Sequence, residues 1–400
     1  MRSITVVIPT RERPDTLFSS LRTVVDQDYD NLEIIVSDNF SQDLTEEVVR
    51  SFNDPRVRYL NTGKRLSMSA NWEFALNQVS GDWVTVIGDD DGLLPNALEM
   101  VNRIADETGV EAIRAERCQY KWPTENLPYS GKLSVPVRRG VSVRKSSTWR
   151  NRVLNGTASY TDLPMLYNGG FVRKKFLDVI RHKGFVYRSC IPDVYSAIAV
   201  SHVLDNYAFS YQPLAINGAS RHSTGSSYFS KNGCSKESAI KFQSEENIAF
   251  HSSIPLVDNK YPKSIQALIF ESCAQFKDAF PDSINLDPCD QVAVILASIG
   301  SRTTELDSWV KLFCEHHGID VTKANSFAKK RKLLLLAARL MQASSSLGSV
   351  KADGSSNELS NVFEASLVAN RILEGSPFYA IQVAKRFLKK TCSVFKKRFS

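Results

Sequence analysis

The chain has 400 residues, 42% hydrophobic and 23% charged, with a formal net charge of +7. That length exceeds a typical single domain, and the balance is that of a soluble globular protein rather than a disordered or fibrous one. The charge excess is local, because 378–400 holds seven Lys or Arg and no acid while the rest is balanced, so no nucleic-acid partner is expected.

The seven cysteines are odd in number, scattered, and form no Cys-x-x-Cys pair. They fit a reduced, cytoplasmic compartment better than a disulfide framework. Cys314, His316 and His317 lack a second ligand pair nearby and are read as structural or surface residues. Ile4 to Pro9 is too short for a secretory signal core, and no apolar run approaches a membrane span.

In chain order, Ile4 to Pro9 reads as a first buried strand, followed by an amphipathic helix from Pro14 to about Val25. Glu33 to Ser37 is a second strand, stopping at Asp38, with a helix after Ser41 to Asp43. Val57 to Leu60 is a short third strand, and Ser67 to Val79 a helix. Trp83 to Ile87 is a fourth apolar run that ends at Gly88 in three successive carboxylates, Asp89, Asp90 and Asp91, before Pro95.

Alternation of this kind predicts parallel βαβ units, in which ligands bind outside the carboxyl ends of the strands. Asp38 and the three carboxylates should therefore share one crevice. Adjacent like charges are costly unless a cation or a set of donors offsets them, and a hard divalent ion shared with a diphosphate suits carboxylate oxygens. The plainer alternatives are an acidic turn capping the next helix and an Asp38 that caps its own.

Val110 to Ala115 reads as another strand. Trp122 to Gly140 is punctuated by Pro and Gly and reads as a long irregular loop. Ile191 to Tyr195 places Asp193 just inside a helix running towards Val203, where it could simply favour the helix start. Ile216 to Ser226 reads as a polar loop with one histidine, His222. Beyond Lys236 helical periodicity dominates, with Ser344 to Ser356 as an exposed loop. The expected domains are 1–235, a helical unit at 236–376, and a basic amphipathic helix at 377–400.

With these stretches assembled, the first 230 residues or so resemble the inverting glycosyltransferase family 2. The resemblance rests on Val6-Val7-Ile8-Pro9-Thr10, on Val36 to Asn39 with Ser41 and Asp43, on Gly81-Asp82-Trp83, and on Asp90 to Leu98. It implies a GT-A fold, a Rossmann-like, mainly parallel sheet with flanking helices, here followed by a C-terminal helical domain.

It also implies that Thr10, Arg11, Glu12, Asp38, Asn71, Asp89 and Asp90 contact a nucleotide-sugar, with Asp38 accepting from the base. Asp90, Asp91 and His222 would hold Mn or Mg against the donor diphosphate. Asp193, in its Pro-Asp context, would be the catalytic base, with Asp162 the next candidate. Two departures stand out: Gly88 occupies the first Asp position of the family's Asp-x-Asp-Asp, and Arg11 stands where relatives often have Tyr.

The implied reaction moves a sugar to a hydroxyl of a glycan or lipid-linked acceptor in bacterial surface polysaccharide synthesis. It would take place in the cytoplasm, with the basic tail on an anionic membrane surface at the inner face of the cell membrane. A nucleotidyltransferase would need a Gly-rich loop after the first strand, and 9–13 has none. The remaining alternative is a non-catalytic, membrane-associated scaffold of the same fold.

Overall fold

The structure is a computed structural model and describes residues 1–123, 131–221, 245, 248–262, 264–298, 303–345, 349–353 and 359–375. His222 and the tail at 377–400 lie outside these described residues.

The first half follows the alternation of the sequence: β1 (Ile4–Thr10), α1 (Pro14–Val25), β2 (Leu32–Asp38), α2 (Thr45–Arg50), β3 (Val57–Asn61), α3 (Met68–Leu76), β4 (Trp83–Val86), β5 (Gly92–Leu93) and α4 (Ala97–Thr108). Pro14 supplies the preset backbone for the first turn of α1, and Ser67 caps α3 by accepting from the Ala70 amide at 3.2 Å. Strands β3, β2, β1 and β4 pair in that order, all parallel, with Thr10 opposite Asp38.

Beyond β4 the sheet becomes mixed. β6 (Ala112–Lys121) pairs antiparallel with β7 (Lys132–Pro136) and β9 (Gly170–Arg173), and parallel with the long β10 (Asn206–Ala219). β8 (Val141–Lys145) and β5 add antiparallel to β10. The segment expected as one irregular loop thus contains β7, since Leu133 and Val135 alternate into the core between the turn residues, and β8 begins directly after it. Residues 216–219, expected as loop, are the end of β10.

Helices cover both faces. α3, α6 (Lys174–Arg181) and α7 (Pro192–Val203) bury one side of the sheet around Trp72, Leu177 and Ile198, while α1 and α4 bury the other around Leu17, Leu21, Val101 and Ile104. Between β8 and β9 lie α5 (Ser146–Leu154) and a 3₁₀ turn at Tyr160–Asp162.

The C-terminal helices α8 (Ile265–Ala279), α9 (Pro288–Ser298), α10 (Thr304–His316) and α11 (Val321–Ser345) enclose their own core around Phe270, Trp309 and Phe313. α8 also sends Ile269, Cys273 and Phe276 into the core beside α7. The chain then returns to the sheet. Ser349–Asp353, within the stretch expected as an exposed loop, is strand β11, antiparallel to β7. α12 (Val362–Leu373) packs Val362, Ala365 and Val368 over Cys118, Tyr120 and Leu133.

Candidate functional site

The carboxyl ends of β1, β2 and β4 converge on an acidic crevice, and Thr10 joins its parts. Its backbone lies opposite Asp38 and its hydroxyl donates to Asp89 Oδ2 at 2.8 Å. Asp38, only 1% exposed, accepts from the Ser41 amide at 3.0 Å and the Ser41 hydroxyl at 2.6 Å through Oδ1. Its Oδ2 accepts from Tyr59 at 2.6 Å. Burial, with Asp38 adding to it, pushes the Tyr59 phenol well above its ordinary range, so that hydroxyl stays a donor.

Asn71 is also buried, and its amide is engaged with β2 instead of the crevice. Ser37 Oγ donates to Asn71 Oδ1 at 2.7 Å, and Asn71 Nδ2 reaches the Ser37 carbonyl at 3.4 Å. Asn71 therefore braces the strand that carries Asp38. Arg11 reaches Glu245 at 2.7 Å, and Arg65 reaches the same carboxylate at 3.1 Å. Glu12 is exposed, takes a left-handed φ of 53°, and donates its amide to Ser41 Oγ at 2.8 Å.

The three adjacent carboxylates have three different environments. Asp89 pairs with Arg13 at 2.9 Å, yet burial still holds its carboxyl above the usual range. Asp90 accepts from the Ser220 hydroxyl at 2.7 Å, while its carbonyl accepts from Trp122 Nε1 at 2.9 Å.

Asp91, 1% exposed, accepts from the Gly88 amide at 2.9 Å, the Tyr167 hydroxyl at 2.8 Å and the Gly218 amide at 2.8 Å. Burial first and the Asp90 charge second push its carboxyl up to about 7, against those three donors. Asp91 is thus fastened into the protein on both oxygens, and Asp90 accepts from the Ser220 amide and hydroxyl at the end of β10.

Two glycines make this packing possible. A Cβ on Gly218 would lie 1.7 Å from the Asp90 carbonyl oxygen, so only glycine lets β10 approach the turn. A Cβ on Gly88 would meet the Tyr167 hydroxyl at 2.8 Å and Asp91 Oδ2 at 2.9 Å. The family's missing Asp at position 88 therefore has a local reason: Tyr167 fills that space and supplies a donor to Asp91. Trp72 stacks on Tyr167 with ring centroids 5.2 Å apart and an interplanar angle of 20°.

Asp193 sits in the first turn of α7, half-buried. Burial raises its carboxyl above the ordinary range, opposed by the Val194 amide, the Arg117 charge and a hydrogen bond from Tyr160. Tyr167 links the two halves of the crevice, because it bonds Asp91 while lying within electrostatic reach of Asp193. Asp162 is engaged elsewhere, with Arg144 at 3.3 Å and the Ser159 amide at 3.1 Å.

Several site residues are not apparent from their types alone. The loop leading to Asp193 is held from behind: Glu73 accepts from the Tyr187 amide, and Glu271 of α8 accepts from the Ser189 hydroxyl. Both carboxyls are raised by burial. Arg114, 1% exposed, donates to the carbonyls of Thr161 at 2.7 Å, Tyr167 at 3.1 Å and Asn168 at 2.7 Å, fixing the loop that carries Tyr160 and Tyr167. The only signal for these was a charged residue inside an apolar run, as at Arg114 and Glu271.

The described residues contain no group of three or more His, Cys, Asp or Glu arranged to hold a metal. The donor set still fits a hard divalent cation. Its atoms are carboxylate oxygens, and the repulsion between Asp90 and Asp91 is what a cation would relieve.

A sheet with parallel strands feeding an acidic crevice, flanked by helices on both faces, defines an α/β protein of the GT-A class. Residues 5–162 match the family model described as Glycosyl transferase family 2, so the chain carries a domain of that family. The GalNAc(5)-diNAcBac-PP-undecaprenol beta-1,3-glucosyltransferase of Campylobacter jejuni is 37% identical over 110 residues, 27% of this chain and 36% of that protein. The UDP-Glc:alpha-D-GlcNAc-diphosphoundecaprenol beta-1,3-glucosyltransferase WfgD of Escherichia coli is 29% identical over 97 residues, 24% of this chain and 38% of that one. The matched stretches thus span little more than a third of these relatives.

Among solved structures, S. aureus TarS 1-349 in complex with UDP-GlcNAc superposes with a TM-score of 0.51 at 13% identity. That match covers 94% of this chain and 93% of the other, and it shows a shared fold.

Proposed function

We propose that this chain is an inverting glycosyltransferase that moves a sugar from a nucleotide-sugar donor to a hydroxyl of a glycan or lipid-linked acceptor in bacterial surface polysaccharide synthesis. The observation that carries this reading is the juxtaposition around Tyr167 of a fixed acidic turn and a half-buried carboxylate with a raised pKa. The relatives that act on diphosphoundecaprenol-linked glycans favour the same substrate class for this chain.

In this mechanism Asp38 and Thr10 hold the nucleoside, with Arg11 and Glu12 at the rim. Asp90, beside Asp89, faces the donor diphosphate, and Asp91 holds the turn in place. Asp90, with His222 as a further candidate, would hold Mn or Mg, and Asp91 supports from behind. The chemistry that ion supplies when bound is charge neutralisation on the departing nucleoside diphosphate.

Asp193 removes the acceptor hydroxyl proton as that oxygen attacks the anomeric carbon. A single in-line displacement gives inversion. Burial makes Asp193 a stronger base than an exposed Asp, and Tyr160 and Arg117 keep enough of it ionised to act. The enzyme would work in the cytoplasm, at the inner face of the cell membrane.

The test is release of nucleoside diphosphate on mixing the chain with a panel of nucleotide-sugars and a lipid-diphosphate glycan acceptor, with Mn or Mg and then with chelator. Release that stops with chelator and returns with the ion is expected. No release with any donor would leave the scaffold reading in its place. Full turnover in chelator, with bound ion excluded by elemental analysis, would reject the metal.

A further inference from the structure

Among the described residues no helix is long and apolar enough to cross a membrane, yet α11 exposes a row of leucines. Leu333 is 72% exposed, Leu334 63% and Leu336 54%, on the same helix as Lys329, Lys330 and Lys332, all exposed. At 100° per residue the buried Ala324, Ala328 and Leu335 form the packed stripe. Leu333 and Lys330 project from the opposite side.

Four consecutive leucines cannot all face one core, and here only Leu335 does. Its side chain lies against Gly156 at the end of α5, where an added Cβ would meet Leu335 at 3.3 Å. Arg331 turns inward too, to Asp290 at 2.6 Å and Asn155 at 3.2 Å. The exposed leucines and lysines are therefore carried on a helix anchored to both the helical core and the domain bearing the crevice.

We propose that the side of α11 away from its packed stripe rests on an anionic lipid bilayer, with Leu333 and Lys330 at its centre, Leu334 and Leu336 on its two flanks at the interfacial layer, and Lys329 and Lys332 meeting the headgroups. Exposed bulky apolar side chains beside a basic cluster suit that surface. Charge selects it over the other occupants. The tail at 378–400 is itself basic and acid-free, and a second copy in register would oppose like charges, so both are disfavoured against three lysines. The inference does not rest on the transferase reading, because its readout is binding alone.

The experiment is co-sedimentation of the full chain with phosphatidylglycerol vesicles and with neutral phosphatidylcholine vesicles at low and high salt. To read α11 apart from the tail, the parent carries Lys389→Glu, Lys390→Glu, Lys396→Glu and Lys397→Glu. That parent should still bind the anionic vesicles, less so in high salt. Adding Leu333→Ser, Leu334→Ser and Leu336→Ser, or Lys329→Glu, Lys330→Glu and Lys332→Glu, should weaken binding about tenfold or more. The unfolding temperature should be unchanged by either set, since these side chains are exposed.

Failure of the parent to bind, equal binding by the parent and both α11 variants, or equal binding to neutral vesicles would overturn the proposal. No nucleoside diphosphate release by the unaltered chain with any donor, with vesicle binding intact, would count against the transferase reading alone.

Discussion

The acidic turn at 88–91 and the entrance to α7 at 189–193 both present carboxylates to one crevice, but they are built differently. The turn is saturated: Asp91 accepts three protein hydrogen bonds, and β10 presses on it through Gly218. The α7 entrance is held from behind by Glu73 and Glu271, while Asp193 itself meets Tyr160, the Arg117 charge and its own helix start. The difference suits two tasks. The carboxylate that holds the turn is tied down on both oxygens, whereas the carboxylate proposed as the base is reached by Tyr160 and the start of its helix.

The largest expected effect breaks this contrast at Asp193. Asp193→Asn should lower turnover by about two to four powers of ten while donor binding stays near normal. In the unaltered chain the activity should fall on acidification at a higher pH than an exposed Asp would give, because the folded carboxyl is raised. Steady-state rates with donor binding by calorimetry check both, and near-normal turnover in the variant would assign the base elsewhere.

At the turn the expected effect is on folding. Gly218→Ala places a methyl 1.7 Å from the Asp90 carbonyl oxygen, and should cost more than about 3 kcal/mol, read as insoluble or strongly destabilised protein. Wild-type stability in that variant would mean that β10 does not press on the turn.

Gly88→Ala is the finer probe, with an expected loss of about 1–3 kcal/mol in urea unfolding. Combining it with Tyr167→Phe should recover part of that loss, because the hydroxyl at 2.8 Å is the nearest obstruction. Simple additivity of the two changes would remove Tyr167 as the reason for glycine at 88.

The smallest effect is a pH dependence without divalent cations. Asp91 titrates at about 7 folded and near 3.8 unfolded, so the folded state binds the extra proton between those values. Its favourable contribution is complete below the lower value and lost as pH rises through the upper one. Relative to Asp91→Asn, the wild type should therefore lose about 1–2 kcal/mol between pH 5 and pH 7. Parallel stability curves for the two proteins would contradict the raised value.

The amino-acid sequence by itself determined the parallel half of the sheet and the meeting of Thr10, Asp38 and Asp89 to Asp91 at its carboxyl edge. Those features follow from short-range apolar periodicity and from the rule that parallel strands share one ligand edge. Only the tertiary structure decided which protein donors and backing groups each carboxylate meets, because that depends on Tyr167, Gly218, Ser220 and Glu271, distant in the chain. β7, β8 and β11 were hidden for a similar reason: short strands among Pro, Gly and Ser are stabilised by their partners across the sheet and carry little periodicity of their own.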